Sequence, residues 1–166
     1  MHQPDTASDE DARIGVAYLL CEDVPQIDAK VVQWVHNAAE QGYAPAQYLF
    51  GLAYEIGGVV PRDYVEAVRW WRLAAEQGDS DAQSNLGLMY GLGRGLPRGY
   101  VRAHMWLTLA MTRVRGEKGA KFAQTRQSVA KKMTSEQIHE ARRLAREWKP
   151  KTWDELQGGG ISGDAV

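Results

Sequence analysis

Apolar and aromatic residues return at steps of three and four along most of this chain, the spacing that lines one side of a helix. Ala46, Phe50, Tyr54 and Gly57 follow one another at steps of four, four and three, which predicts a helix near Ala46 to Glu55 with that stripe buried. A second helix is predicted after Pro61, where the Asp63 carboxylate can accept a hydrogen bond from the backbone N–H near Glu66. This helix buries Ala67, Trp70, Trp71 and Ala74. Gly78 ends it as a residue able to take the left-handed conformation.

The pattern repeats. A shift of 36 places residues 43–78 on 79–114 without a gap and matches 14 of 36 positions, Ala46, Gln47, Gly51, Leu52, Tyr54, Gly57, Pro61, Arg62, Tyr64, Val65, Ala67, Trp70, Leu73 and Ala74. Composition alone would match roughly two or three. The same shift backwards sets Gly15, Ala17, Tyr18, Val24, Pro25, Val32, Trp34 and the run from Ala38 to Gly42 on their counterparts, a degenerate first repeat over residues 7–42. Gly51, Tyr54 and Trp70, with Gly87, Tyr90 and Trp106, form the structural signature. Small residues at Gly51 and Ala74 admit a close helix approach, and the rings at Tyr54 and Trp70 fill the space between hairpins. A hairpin of two helices cannot bury both its faces, so neighbouring repeats must stack.

The period fades after Val114. A basic helix from about Lys118 to Met133 precedes Thr134-Ser135-Glu136-Gln137, a capping box, and a further helix with Ile138, Ala141, Ala145 and Trp148 on one face ends at Pro150. The expected organisation is a flexible leader at 1–6, three repeats at 7–42, 43–78 and 79–114, a capping helix pair at 115–150 and a flexible tail at 151–166, in which Trp153 and Leu156 add one turn against the cap. The fold class is all-α: an α-α superhelix, a right-handed solenoid of helix-turn-helix repeats with a C-terminal helical cap.

The run from Ala82 to Tyr90, then Gly93-Arg94-Gly95-Leu96-Pro97, Ala103 and Trp106, resembles the Sel-1-like repeat of bacterial proteins, a relative of the tetratricopeptide repeat. Ala74-Ala75-Glu76-Gln77-Gly78 is similar to the usual ending of such a repeat. The resemblance covers roughly residues 7–114 and implies a superhelical adaptor that assembles protein complexes. Three positions depart from the pattern: Val59 stands for a loop glycine, Gly99 for an acid, and Cys21-Glu22-Asp23 for the glycine loop of repeat one.

The net charge of −1 conceals a division along the chain. Residues 1–60 hold nine acidic and two basic side chains, whereas 113–151 hold four acidic and twelve basic ones. With the two ends of a solenoid apart, this division suggests weak head-to-tail self-association. Cys21 is the only cysteine, which leaves no pair for a disulfide or thiolate metal site. Residues 1–12 carry acids and no apolar run, so neither a signal peptide nor a membrane anchor is expected and a cytoplasmic location is.

No complete catalytic, cofactor or metal motif emerges. His139-Glu140-Ala141-Arg142-Arg143 begins like a zinc-protease helix but has Arg143 where the second histidine belongs. The glycine loop at 91–95 joins two helices, where a phosphate loop would follow a strand. His104 is expected to be packed, and His36 to be exposed. Some cysteine-rich relatives resemble β-lactam-binding hydrolases, but their paired cysteines are missing here. Arg142, Arg143, Arg146 and Lys149 could meet phosphates of a nucleic acid, although a solvated helix face explains them more simply. The stronger expectation is a non-catalytic scaffold. With Phe50 buried, Tyr48, Leu52 and Glu55 point away from the core. Their counterparts are Ser84, Leu88 and Gly91, and in repeat one Ala12, Val16 and Leu19. Together they form a candidate groove for a protein or peptide, unless Leu52 and Leu88 merely pack on neighbouring hairpins.

Overall fold

The computed structural model describes residues 29–58 and 60–158. The expected leader, the start of repeat one with Ala12, Val16, Leu19 and Cys21, the loop residue Val59 and the end of the tail lie outside them. Among the described residues there are eight helices and no strand: α1 (Ala29–Glu40), α2 (Ala44–Ile56), α3 (Tyr64–Glu76), α4 (Ser80–Leu92), α5 (Tyr100–Met111), α6 (Gly116–Ala130), α7 (Ser135–Glu147) and α8 (Trp153–Gly158). Consecutive helices from α1 to α6 pack on one another, and α7 packs back on α5. The result is an all-α repeat superhelix.

Local chemistry sets the helix ends. Asp63 accepts from the backbone N–H groups of Val65 and Glu66 and so caps α3, while Asp79 accepts from Ala82 N–H at the start of α4. Gly99 occupies the same place before α5 and offers no side-chain bond. Thr134 and Gln137 close the capping box of α7 from both sides. The turns between repeats need a left-handed residue, and Gly42 and Gly78 supply it at φ 92° and 97°. Within each repeat the loop is tied to its first helix by one recurring bond, Asp63 N–H to Tyr54 O at 2.9 Å and Gly99 N–H to Tyr90 O at 3.0 Å.

Packing follows the signature closely. A Cβ on Gly51 would overlap the Trp71 indole, and one on Gly87 would stand 2.9 Å from Leu107 Cγ. Trp71 and Leu107 are themselves equivalent and fully buried, so each glycine lets the second helix of its hairpin seat a large side chain against the first. One core cluster gathers Val35, Ala39, Ala46, Phe50, Trp70 and Leu73, and the other runs from Ala67 and Trp71 through Leu86, Met89 and Trp106 to Val129.

Three expectations are corrected. Tyr54 is half-buried, its ring edge-on to Phe50, and Gly57 belongs to the cap of α2 at φ 76° and not to the buried stripe. His36 is half-buried: its ring lies 5.0 Å from Phe50 and 6.1 Å from Trp70, whereas Trp34, the counterpart of Trp70, is 39% exposed. The turn expected at Trp153 and Leu156 forms, as the short α8 after an extended link, but Trp153 sits over Gly42, in the turn between α1 and α2, and not against the cap. The end of the described chain thus returns to its first helices instead of standing at the far end of the array.

Candidate binding face

The five residues expected to line a groove come from two equivalent helices. Tyr48, Leu52 and Glu55 lie on α2 and Ser84 and Leu88 on α4. Their environments differ. Tyr48 and Leu52 are half-buried and pack against both core clusters, so they form the floor of the crease between hairpins. Leu88 is 38% exposed. Ser84 and Glu55 are half-buried at its margins. The floor is rigid in part because the Tyr48 carbonyl accepts the Trp71 indole N–H at 3.0 Å.

Two residues that sequence reasoning passed over extend the apolar surface. Ile56 and Leu92 are 65% and 45% exposed and stand 36 residues apart, one turn beyond Leu52 and Leu88 on the same helices. The repeat shift itself was the available signal. Conserving an apolar residue through the shift at a position the helix leaves open distinguishes it from a core position.

Acidic side chains surround Tyr48. Burial, then the neighbouring Asp81, Asp79 and Glu55, push the Tyr48 hydroxyl up to about 12, so it remains a hydrogen-bond donor throughout the neutral range. Burial raises Glu55, against the pull of Arg94 and Arg62, and burial also raises Asp79 despite the N–H it accepts from Ala82. Asp81 pairs with Lys118 of α6. Arg94 lies over the Tyr64 ring at 5.6 Å. The surface therefore offers apolar contacts, hydroxyl donors and carboxylate acceptors.

The signature residues serve packing. Trp70 and Trp106 are buried, the latter edge-on to Trp148 at 6.1 Å. Tyr90 is buried and its hydroxyl accepts from Arg72 at 3.0 Å. Gln47 and Gln83 are equivalent buried polar residues whose role the pattern did not reveal. Their amides donate to Ala39 O at 3.0 Å and Ala75 O at 3.2 Å, the carbonyls at the end of the preceding helix, and thus tie each repeat to the one before it.

His104 is packed as expected, at 3% exposure, with Thr108 Oγ1 3.4 Å from Nδ1. Burial, then Arg126 and Arg142, bring it down to about 4. Glu140, in the segment that begins like a zinc-protease helix, is engaged by Arg143 in two hydrogen bonds, and Arg143 also reaches Glu147 at 2.7 Å. His139 is exposed, as are Arg142, Arg146 and Lys149. Among the described residues no three His, Cys, Asp or Glu side chains gather as metal ligands, and no helix is long and apolar enough to cross a membrane.

One family model, Sel1 repeat, matches the chain over residues 44–79 and 80–111. A solved Sel1 repeat protein from Oxalobacter formigenes is 30% identical, with 70% of this chain and 87% of that one covered at a TM-score of 0.60. The chain is a Sel1 repeat protein. A protective antigen present in uropathogenic Escherichia coli strains, displaying an SLR fold, is also 30% identical and superposes with a TM-score of 0.75 over 96% of this chain. This Sel1 repeat protein spans only 34% of that antigen's length. No curated protein matches it in sequence. The family model takes in the two repeats with the full signature and leaves the degenerate first repeat unmatched.

Proposed function

We propose that this Sel1 repeat protein is a non-catalytic scaffold that receives an extended peptide segment of a partner protein along the crease of α2 and α4. The observation that carries this reading is that Leu88 and Leu92 on α4 and Ile56 on α2 are exposed apolar side chains, on the same helices as Tyr48, Leu52 and Ser84. An extended peptide exposes side chains at alternate positions and can place apolar ones over them, while the hydroxyl and carboxylates at the margin meet its polar groups. Exposed apolar side chains that group on a surface mark sites of interaction.

Panning a displayed peptide library against the chain tests this, with counter-selection on the Leu88→Asp/Leu92→Asp variant. Both residues are exposed, so helical content should be unchanged. Selected peptides should carry apolar residues and lose about tenfold or more in affinity for the variant, as expected when central apolar contacts are removed. Peptides that bind the variant equally well, or no enrichment at all, would refute the assignment of this face.

A further inference from the structure

The link between α7 and α8 is seated on a surface of its own, separate from the α2/α4 crease. Trp148 ends α7 in an extended conformation at φ −65° and ψ 139°. Pro150 then passes Gly78, its Cβ 3.8 Å from where a Gly78 side chain would begin. Lys151 donates its backbone N–H to Glu76 O at 2.8 Å, and its ammonium lies 3.3 Å from Glu76 Oε2. Two residues on, the Trp153 ring fills the space above Gly42 where any Cβ would collide with it. Thr152 and Glu155 exchange hydrogen bonds and start α8 directly behind the ring.

Four residues therefore run from the turn that ends one repeat to the turn that ends the repeat before it. The seat presents a main-chain acceptor, a carboxylate whose side chain is only 20% exposed, and, for an indole, a place over Gly42 against the core cluster of α1 to α3. Those are the elements by which a protein recognises an extended peptide: backbone bonding for affinity, and an ionic and an aromatic subsite for specificity. The seat is built wholly from repeat residues, and the link contributes only the ligand's half.

We propose that the edge formed by Gly42, Glu76 and Gly78 is a second docking surface, for an extended segment carrying a basic residue with a tryptophan two positions later, and that residues 150–153 occupy it in cis as an autoinhibitory ligand. A short covalent link holds the cis ligand at an effective concentration of about millimolar order. A trans segment with the same contacts therefore gains access when the cis ligand is weakened.

The full chain carrying Trp153→Ala tests this, with a fluorescent peptide spanning residues 149–158 as the probe. Fluorescence anisotropy should show binding at least about tenfold tighter to the variant than to the unsubstituted chain, because cis competition has been relieved. Adding Glu76→Gln to the variant, or replacing the peptide's tryptophan by alanine, should abolish it. Lys151→Glu opens the edge without removing the ring and replaces Trp153→Ala if that variant loses its helical circular dichroism. A folded open variant that leaves the peptide unbound at millimolar concentration overturns the proposal, as does equal binding to the unsubstituted chain. Leu88→Asp/Leu92→Asp should leave this binding unchanged, which separates its outcome from that of the α2/α4 crease.

Discussion

Gly51 and Gly91 lie in equivalent first helices, and the same substitution should move stability in opposite directions at the two positions. Gly51→Ala gains about 1 kcal/mol of helix propensity. Its new Cβ, however, would overlap the fully buried Trp71 ring, whose Nε1 donates to Tyr48 O at 3.0 Å. Forcing a methyl into a packed site costs about 1–3 kcal/mol. A buried indole N–H pulled off its acceptor costs about 1–3 kcal/mol more. The net expectation is a loss of about 1–5 kcal/mol. At Gly91 the nearest atoms to a new Cβ are Val129 Cγ2 at 3.6 Å and Ala103 Cβ at 3.9 Å, ordinary contact distances. Gly91→Ala should therefore stabilise by about 0.5–1 kcal/mol. Urea unfolding followed by circular dichroism measures both, provided the slope with denaturant is the same for each variant. If Gly51→Ala proved as stable as Gly91→Ala, the close approach of α2 and α3 would not be what requires glycine at the signature position.

Gln47→Leu keeps the volume but removes the amide that donates to Ala39 O and accepts from Gln77. It should cost about 1–3 kcal/mol in the same assay, and an unchanged midpoint would deny the glutamines their role between repeats. His104 predicts a pH dependence. Its folded value of about 4 lies below the ordinary 6.5, so the unfolded chain binds the proton first. The stability it contributes is complete above pH 6.5, falls as pH drops toward 4 and is gone below, about 1–3 kcal/mol across that window. Unfolding midpoints at stepped pH should show this decline in the parent chain and a flatter profile in His104→Gln. An identical decline in both would assign it to other groups.

Local features of this Sel1 repeat protein were legible in the residues because they depend on near neighbours. The 36-residue period, the Asp63 cap, the Thr134–Gln137 box and the left-handed Gly78 each involve side chains and backbone within a few positions, where helical geometry leaves little choice. The signature glycines were legible too, as small residues recurring at one register. Tertiary structure decided what depends on which distant surface comes to rest where. Tyr48 and Leu52 carry a pattern compatible with exposure, and only the adjoining hairpin turned them into the floor of a crease. His36 is expected at the surface from its repeat counterparts, and the rings of Phe50 and Trp70 beside it leave it half-buried. The most distant case is Trp153: no periodicity marks its partner, because Gly42 is more than a hundred residues earlier in the chain. Periodicity reports the face a helix buries, whereas such a pairing is set by the accumulated rise and turn of every repeat between the two residues.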